Sequence, residues 1–367
     1  VPTPAVGLLT NSMRADLGIM ISASHNEHND NGIKFFGPDG YKLSDEAEFE
    51  IESLISEGVD CVFPEHIGRA KRIDDGRYRY IERVKSSFPN QMRLDGLKVV
   101  IDCANGAGYR AAPEVLWELG AEVIPIGVSP DGRNINLNCG STSPRVAAET
   151  VVAHGADVAI CLDGDADRVL VIDEKGSPID GDQFLGMIGA RWFKEGKLAN
   201  ETLVSTVMSN MRLETFLNQE GITLVRTSVG DRYVVERMRL NGFNLGGEKS
   251  GHVVMMDYST TGDGLMAGLQ FLAEMIRKGE PASVVGRPFD LAPQRTENIT
   301  YSVEKNPLND PSVIKIISES EKKLSGLGRL LVRKSGTEKL IRVMVEAEDI
   351  SILDATMASI TSTIKGL

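Results

Sequence analysis

The stretch LKVVIDCANGAGYRAAPEVLWELGAEVIPI, residues 97–126, decides the fold class. Residues 97–102 form an apolar run of strand length that ends in the turn Asn105-Gly106-Ala107-Gly108. Residues 112–120 read as a helix closing on Gly120, and 121–126 as a second strand. Strand, glycine turn, helix and strand make a βαβ unit, which implies a parallel sheet with right-handed crossovers. The rhythm continues outward. A helix over 145–154, closed by Gly155, leads to the strand 157–162, and 169–173 is a further apolar run. It restarts after Asp173 with a helix over 182–195, a strand over 202–208, a helix over 212–221, a strand over 222–227 and a helix over 231–242. The glycine-rich loop Gly246–His252 precedes the strand 253–256, and a helix follows over 264–278. The two α/β stretches have similar size and order, which suggests a structural repeat.

The flanks differ. LGIMI, 17–21, reads as a short strand. Ser44 reads as a helix N-cap, with Asp45 and Glu46 in the first turn, Ala47, Ile51, Leu54 and Ile55 at helical spacing, and Gly58 as the stop. Residues 59–96 are mixed and charged and read as a connection. Residues 281–295, with three prolines, read as a linker. Beyond it, 295–303, 330–333 and 339–348 read as strands and 311–324 and 351–365 as helices. The last two strands, joined by a tight turn, are antiparallel, so the tail is a separate small α+β domain.

Composition narrows the class. The chain has 367 residues, of which 41% are hydrophobic and 25% charged, the make-up of an ordinary globular protein. Lys and Arg number 40 against 52 Asp and Glu, a formal net charge of −12, which argues against nucleic acid or an anionic membrane as main partner. No apolar run approaches the ~18 residues of a membrane span. Cys61, Cys103, Cys139 and Cys161 include no CxxC pair, which fits neither a zinc cage nor a disulfide scaffold and suits reduced thiols in a cytoplasmic protein.

Four loops carry candidate chemistry. Asp163-Gly164-Asp165-Ala166-Asp167-Arg168 stands between two apolar runs. Three carboxylates at i, i+2 and i+4 repel one another and become compatible around a cation, and all-oxygen ligands suit Mg²⁺ or Ca²⁺ rather than zinc. A calcium EF-hand is excluded, because Arg168 stands where that loop needs glycine and the flanks read as strands. A phosphatase-type aspartate pair after a strand and a solvated acidic turn both remain open. Ser24, in Ser22-Ala23-Ser24-His25-Asn26, is a hydroxyl beside an imidazole at a strand end, a candidate nucleophile or simply part of a loop. Lys34 follows the turn Asn29-Asp30-Asn31-Gly32 and by itself reads as a surface residue. Glu248, Ser250 and His252 alternate, so an extended segment would present all three on one side, suited to sugar hydroxyls or equally to a polar turn. Arg333-Lys334-Ser335-Gly336-Thr337 offers an arginine, two hydroxyls and an approachable glycine N–H, with Arg342 as a second guanidinium; it reads as a phosphate cradle or as a glycine hairpin turn.

In this order, over essentially the whole chain, these loops resemble the α-D-phosphohexomutase superfamily. Ser22 through Asn26, followed by Asp30-Asn31-Gly32-Ile33-Lys34-Phe35-Phe36, matches its phosphoserine loop; Asp163 through Arg168 matches its metal loop, Gly246 through His252 its sugar loop and Arg333 through Thr337 its phosphate loop. Gly230-Asp231-Arg232-Tyr233 matches one branch of the family. The resemblance implies four domains around a cleft: a partial α/β domain I over 1–72, α/β domains II and III over 90–175 and 178–284, and an α+β domain IV over 292–367. It implies that phosphorylated Ser24, with His25 beside it, exchanges its phosphoryl group with a phosphosugar through a bisphosphate intermediate. Mg²⁺ would sit on Ser24, Asp163, Asp165 and Asp167. Lys34 and Arg168 would stabilise the transferring group, and His252 or Lys34 would act as base. Glu248, Ser250 and His252 would hold the sugar; Arg333, Ser335, Gly336, Thr337 and Arg342 would hold the phosphate at rest. The family also suggests a homodimer. Two departures stand out. Glu27 replaces the proline common after Ser-His-Asn, and the family's domain I begins upstream of Val1-Pro2-Thr3-Pro4, so an incomplete first domain is expected, with an inactive phosphosugar-binding fragment as one alternative and a different sugar preference as another.

Overall fold

The computed structural model describes residues 1–59, 61–301, 306–334 and 339–366. Helix α1 (Thr3–Ser12) opens the chain, and β1 (Gly18–Ile21) pairs antiparallel with β2 (Ile33–Phe36), Ile21 lying opposite Ile33. Helix α2 (Asp45–Glu57) begins as its sequence dictates: the Ser44 side chain accepts the Ala47 N–H, three acids occupy the first turn, and Gly58 ends it at φ +89°. Two helices depart from the sequence reading. α1 hides behind Pro2 and Pro4, and α3 (Gly76–Ser86) occupies part of the expected 59–96 connection. The buried residues of α3 are Gly76, Tyr80, Ile81 and Val84, an apolar stripe too narrow to stand out among its charged neighbours.

The βαβ unit appears as β3 (Lys98–Asp102), α4 (Ala111–Glu118) and β4 (Glu122–Ile126), followed by α5 (Arg145–His154), β5 (Val158–Leu162) and β6 (Val169–Asp173). The sheet runs β4-β3-β5-β6. β3 is parallel to β4 and β5, but β6 is antiparallel to β5, so the sheet is mixed rather than wholly parallel. Residues 163–168 are too few for a crossover and fold back as a hairpin. The three-aspartate loop is therefore a hairpin tip.

The next elements are α6 (Gly181–Lys194), β7 (Thr202–Thr206), α7 (Met211–Gln219), β8 (Thr223–Thr227), α8 (Asp231–Asn241), β9 (Leu245–Gly247), β10 (Val253–Met255), α9 (Gly264–Lys278) and α10 (Ala282–Val285). Gly246 and Gly247, read as loop, belong to strand β9, parallel to β7 and antiparallel to β10. A Cβ on Gly246 would come within 2.6 Å of Met238 Sδ and 2.9 Å of the Val204 carbonyl, so the strand packs only because that side chain is missing. The sheet order β10-β9-β7-β8 repeats β6-β5-β3-β4 with each strand in its corresponding place. The suspected repeat is thus visible in topology, and residues 248–252 form its second hairpin tip.

The chain divides into two units, residues 1–206 with 225–288, and residues 207–224 with 289–367. The second unit contains α7, β11 (Gln294–Thr300), α11 (Pro311–Leu324), β12 (Gly328–Lys334), β13 (Leu340–Ala347) and α12 (Ile350–Lys365). Its sheet β11-β13-β12 is antiparallel throughout, and the few residues between β12 and β13 require this of that pair. Val313, Leu324, Ile341, Val343, Leu353 and Ile360 form its core. No helix among the described residues is long and apolar enough to cross a membrane.

Two buried carboxylates give stability predictions. Glu346, fully buried, takes a charge-assisted contact from Arg329 at 3.0 Å and accepts from Gln294 Nε2 at 3.0 Å. Arg329→Met removes the countercharge and is expected to lower the chemical-unfolding free energy of the second unit by about 3 kcal/mol; unchanged unfolding would contradict it. Asp263 caps α9, accepting the Met266 N–H at 2.9 Å and the Tyr80 hydroxyl at 3.1 Å. Burial pushes its carboxyl up to about 7 from an ordinary 3.8. The folded state therefore keeps the proton over a range where the unfolded chain releases it, so this contribution is complete below the unfolded value and is lost as pH rises towards 7. Asp263→Asn keeps the cap and is expected to gain stability over the wild type at pH 8 more than at pH 5.5, read by urea unfolding at both.

Candidate functional site

The first hairpin tip is held from both sides by backbone that tolerates no side chain. Ala107 N–H donates to the Gly164 carbonyl at 2.7 Å, and a Cβ on Gly106 would lie 2.1 Å from that oxygen. Gly264, at the start of α9, donates to the Ala166 carbonyl at 3.0 Å, and its own Cβ would meet the Arg168 carbonyl at 2.2 Å. So clamped, Asp163, Asp165 and Asp167 are all but fully buried, and one carboxylate oxygen from each lies within 4.8 Å of the others. Burial and the two neighbouring aspartates raise the Asp163 carboxyl well above its usual range. Burial would raise Asp165 as well, but Lys34 and the Thr3 hydroxyl outweigh it and hold that carboxyl at about 2.

Lys34, on β2, donates to Asp165 Oδ2 at 2.5 Å and Asp167 Oδ2 at 3.2 Å. Burial works against its charge, yet the two carboxylates raise its pKa above the ordinary lysine value. Thr3, at the start of α1, donates its hydroxyl to Asp165 Oδ2 at 2.6 Å. Asp165 Oδ1 and Asp167 Oδ1 are buried with no hydrogen-bond partner. Buried oxygens of that kind, in an all-carboxylate set, fit a hard divalent cation.

Ser24 reaches the same tip. Its Oγ donates to Asp163 Oδ2 at 3.0 Å, and its N–H donates to Ser22 Oγ at 2.9 Å. Its φ is +55°, the left-handed region, which a non-glycine residue keeps only when its surroundings hold it. His25 follows; burial first, then Arg168, lower its pKa, which favours the neutral imidazole. Arg168 donates its N–H to Asp163 Oδ1 at 3.1 Å, and its guanidinium Nε is 3.9 Å from Asp167 Oδ1.

The second hairpin tip is stitched to the first. Arg168 and His252 form an antiparallel bridge, and Val169 N–H donates to the Gly251 carbonyl at 3.0 Å. Gly251 has φ +87°, and a Cβ there would lie 2.0 Å from the Val169 carbonyl. His252 is 2% exposed, and neither ring nitrogen has a hydrogen-bond partner. Its Nε2 lies 3.9 Å from Asp167 and 3.6 Å from Asp231. Burial would raise the Asp231 carboxyl, but His252 and the ion pair with Lys42 hold it well below the usual range. Glu248 Oε1 accepts the Gly230 N–H at 3.1 Å, and Ser250 is exposed.

The structure thus brings Ser24, His25, Lys34, Asp163, Asp165, Asp167, Arg168 and His252 around one locus, with Glu248 and Ser250 on the adjoining tip. In the second unit, Arg333 on β12 stands opposite Arg342 on β13. Burial and that neighbouring guanidinium lower the Arg333 pKa, a juxtaposition of like charge that an anion would relieve. Ser335, Gly336 and Thr337 lie outside the described residues. Sequence reasoning missed Thr3, Lys42 and Asn136. Asn136 donates its side-chain amide to the carbonyls of Ser24 and Asn26 at 2.9 and 2.7 Å, and only the polar run Asn134-Ile135-Asn136 hinted at it.

Comparison with known proteins agrees with this layout. The phosphoglucomutase/phosphomannomutase alpha/beta/alpha domains I, II and III match residues 1–60, 78–176 and 180–288, and the C-terminal domain of the same family matches 297–362. The chain belongs to the phosphoglucomutase/phosphomannomutase family. Its relatives there include the phosphoglucosamine mutase of Ruegeria sp. (strain TM1040), 65% identical over 365 residues, covering 100% of this chain and 82% of that protein. That of Roseobacter denitrificans is 66% identical over 364 residues, covering 99% and 81%. Among solved structures, a phosphoglucomutase/phosphomannomutase family protein from Burkholderia thailandensis superposes with a TM-score of 0.82 at 21% identity, covering 100% of this chain and 81% of that one. Aspergillus fumigatus N-acetylphosphoglucosamine mutase, in complex with GlcNAc-6P and magnesium, gives 0.72 at 19% identity, covering 99% and 91%.

The unsatisfied aspartate oxygens predict that Mg²⁺ stabilises the fold. At a hundredfold excess over its dissociation constant the gain is about 2.7 kcal/mol. It is expected as a rise in unfolding temperature that Asp167→Asn abolishes; an equal rise in that variant would place the metal elsewhere.

Proposed function

We propose that this chain interconverts glucosamine 6-phosphate and glucosamine 1-phosphate by carrying a phosphoryl group on Ser24, and so supplies amino-sugar nucleotides for peptidoglycan precursors. The observation that carries the reading is the Ser24 hydroxyl at 3.0 Å from Asp163, inside a buried three-carboxylate set. The level of identity to phosphoglucosamine mutases supports the choice of sugar. A cytoplasmic homodimer, with four domains over 1–72, 90–175, 178–284 and 292–367, belongs to the same reading.

Ser24 and the aspartates 163, 165 and 167 would hold Mg²⁺, which when bound neutralises charge on the transferring group. The phosphorus–Oγ bond of phosphorylated Ser24 breaks as the free sugar hydroxyl forms its bond to phosphorus. The hydroxyl proton leaves to a base. Lys34 is held as a cation by two carboxylates, which suits it to stabilising the transferring oxygens and leaves His252 the better base of the pair. Arg168 adds a second positive charge. The sugar bisphosphate then presents its other phosphate, which returns to Ser24 as the sugar oxygen recovers a proton. Glu248, Ser250 and His252 hold the sugar ring, and the role of Arg333, Ser335, Gly336, Thr337 and Arg342 is to bind the phosphate at rest.

Ser24→Ala is expected to lower turnover in both directions by at least about a thousandfold. Intact mass should show one phosphoryl group on the wild type after incubation with a sugar bisphosphate, and none on the variant. Retained turnover would end the covalent reading. Preference for glucose or mannose phosphates over glucosamine phosphates in competition would move the chain to the phosphoglucomutase/phosphomannomutase alternative.

A further inference from the structure

Asn136 lies in the segment between β4 and α5, and its side chain is buried against the loop that carries Ser24. One amide group donates to two carbonyls, those of Ser24 and Asn26, which bracket the His25 peptide. Its own backbone is anchored: its N–H donates to the Ala104 carbonyl at 2.9 Å, two residues past the end of β3, and its φ is +58°. Gly164, between the first two aspartates, completes the contact. A Cβ there would come within 2.6 Å of both Asn136 Nδ2 and the Ser24 carbonyl oxygen, so the aspartate tip, the asparagine and the serine loop meet with no space to spare.

Within residues 22–26, the remaining hydrogen bonds stay within residues 22–32: Ser24 to Ser22, Asn26 to Ala23, the Asn26 side chain to Asp30, and Ser22 to Gly32. Among the described residues, two partners tie the serine loop to the β3–β6 half of the molecule, Asp163 through the Ser24 hydroxyl and Asn136 through the two carbonyls. The first bond needs the hydroxyl hydrogen. It disappears once Ser24 carries a phosphoryl group, because the ester oxygen has no proton to donate. The bonds from Asn136 go to main-chain oxygens and are unaffected by the chemistry at Oγ.

We propose that Asn136 is a positioning residue for phosphoryl transfer, the tether that holds the Ser24 loop in its left-handed turn against the aspartate tip in both the free and the phosphorylated state. The inference rests on Ser24 as the phosphoryl carrier. It assigns Asn136 no contact with substrate, so its loss acts on the transfer step and not on sugar binding.

Two variants of the full chain test it. Asn136→Asp keeps the side-chain shape but cannot donate, and Asn136→Gly removes the side chain while keeping the left-handed backbone accessible. Both are expected to lower kcat by about a hundredfold, the scale of a misplaced reacting group. KM for glucosamine 6-phosphate should stay near the wild-type value. The rate at which a sugar bisphosphate phosphorylates Ser24 should fall in parallel with kcat. Activity is referred to folded protein measured by circular dichroism. A kcat within twofold of wild type in either variant, or a loss that vanishes on that correction, overturns the proposal. A rise in KM at unchanged kcat overturns it too. Ser24→Ala, run alongside, separates the two readings: if that variant turns over normally, the carrier assignment has failed, whereas an inactive Ser24→Ala beside fully active Asn136 variants refutes the tether alone.

Discussion

Three aspartates of like charge, buried within 4.8 Å of one another, are the constraint around which the first unit is organised. At that spacing each ionised pair costs at least roughly 3 kcal/mol even with an effective dielectric of 20. Such a cluster persists only where cations and donors converge on it. Lys34 arrives from β2, Thr3 from α1 and the Arg168 N–H from the tip itself, while two carboxylate oxygens stay unsatisfied, an arrangement that fits a hard divalent cation. Elements far apart in sequence are thereby drawn to one point, and the serine hydroxyl is among them.

The geometry that presents the cluster comes from topology. Each α/β repeat ends in an antiparallel strand pair, and the connection is too short to do anything but turn back. Two hairpin tips result, one carrying the aspartates and the other Glu248, Ser250 and His252. They occupy equivalent positions in the two sheets and meet through the Arg168–His252 bridge.

Much of this was legible in the sequence, for physical reasons. Strands β3 and β5 are buried along most of their length and show as the apolar runs 99–101 and 158–162, whereas β7, equally buried, shows only Leu203 and Val204 between hydroxyl residues; α2 and α5 declare themselves through Ser44 and Gly155. Helices α1 and α3 did not, because prolines obscure one and a narrow apolar stripe the other. The turn-back at 163–168 was implied by loop length, yet the parallel rhythm of the preceding strands concealed it. At the site, side chains that carry charge or a hydroxyl in a glycine-rich context could be picked out. Asn136 could not, because its work is to bind two main-chain oxygens, and no spacing rule announces which carbonyls a distant amide will meet.

The bridge between the two tips has a mechanical corollary. Gly251 has no room for even a methyl group against Val169, and the ring of His252 rests against Gly262, where a Cβ would fall 2.5 Å from Nε2. Contacts this close leave the two tips no clearance to slide past one another without repacking, so a side chain added at either glycine would be felt on both tips at once.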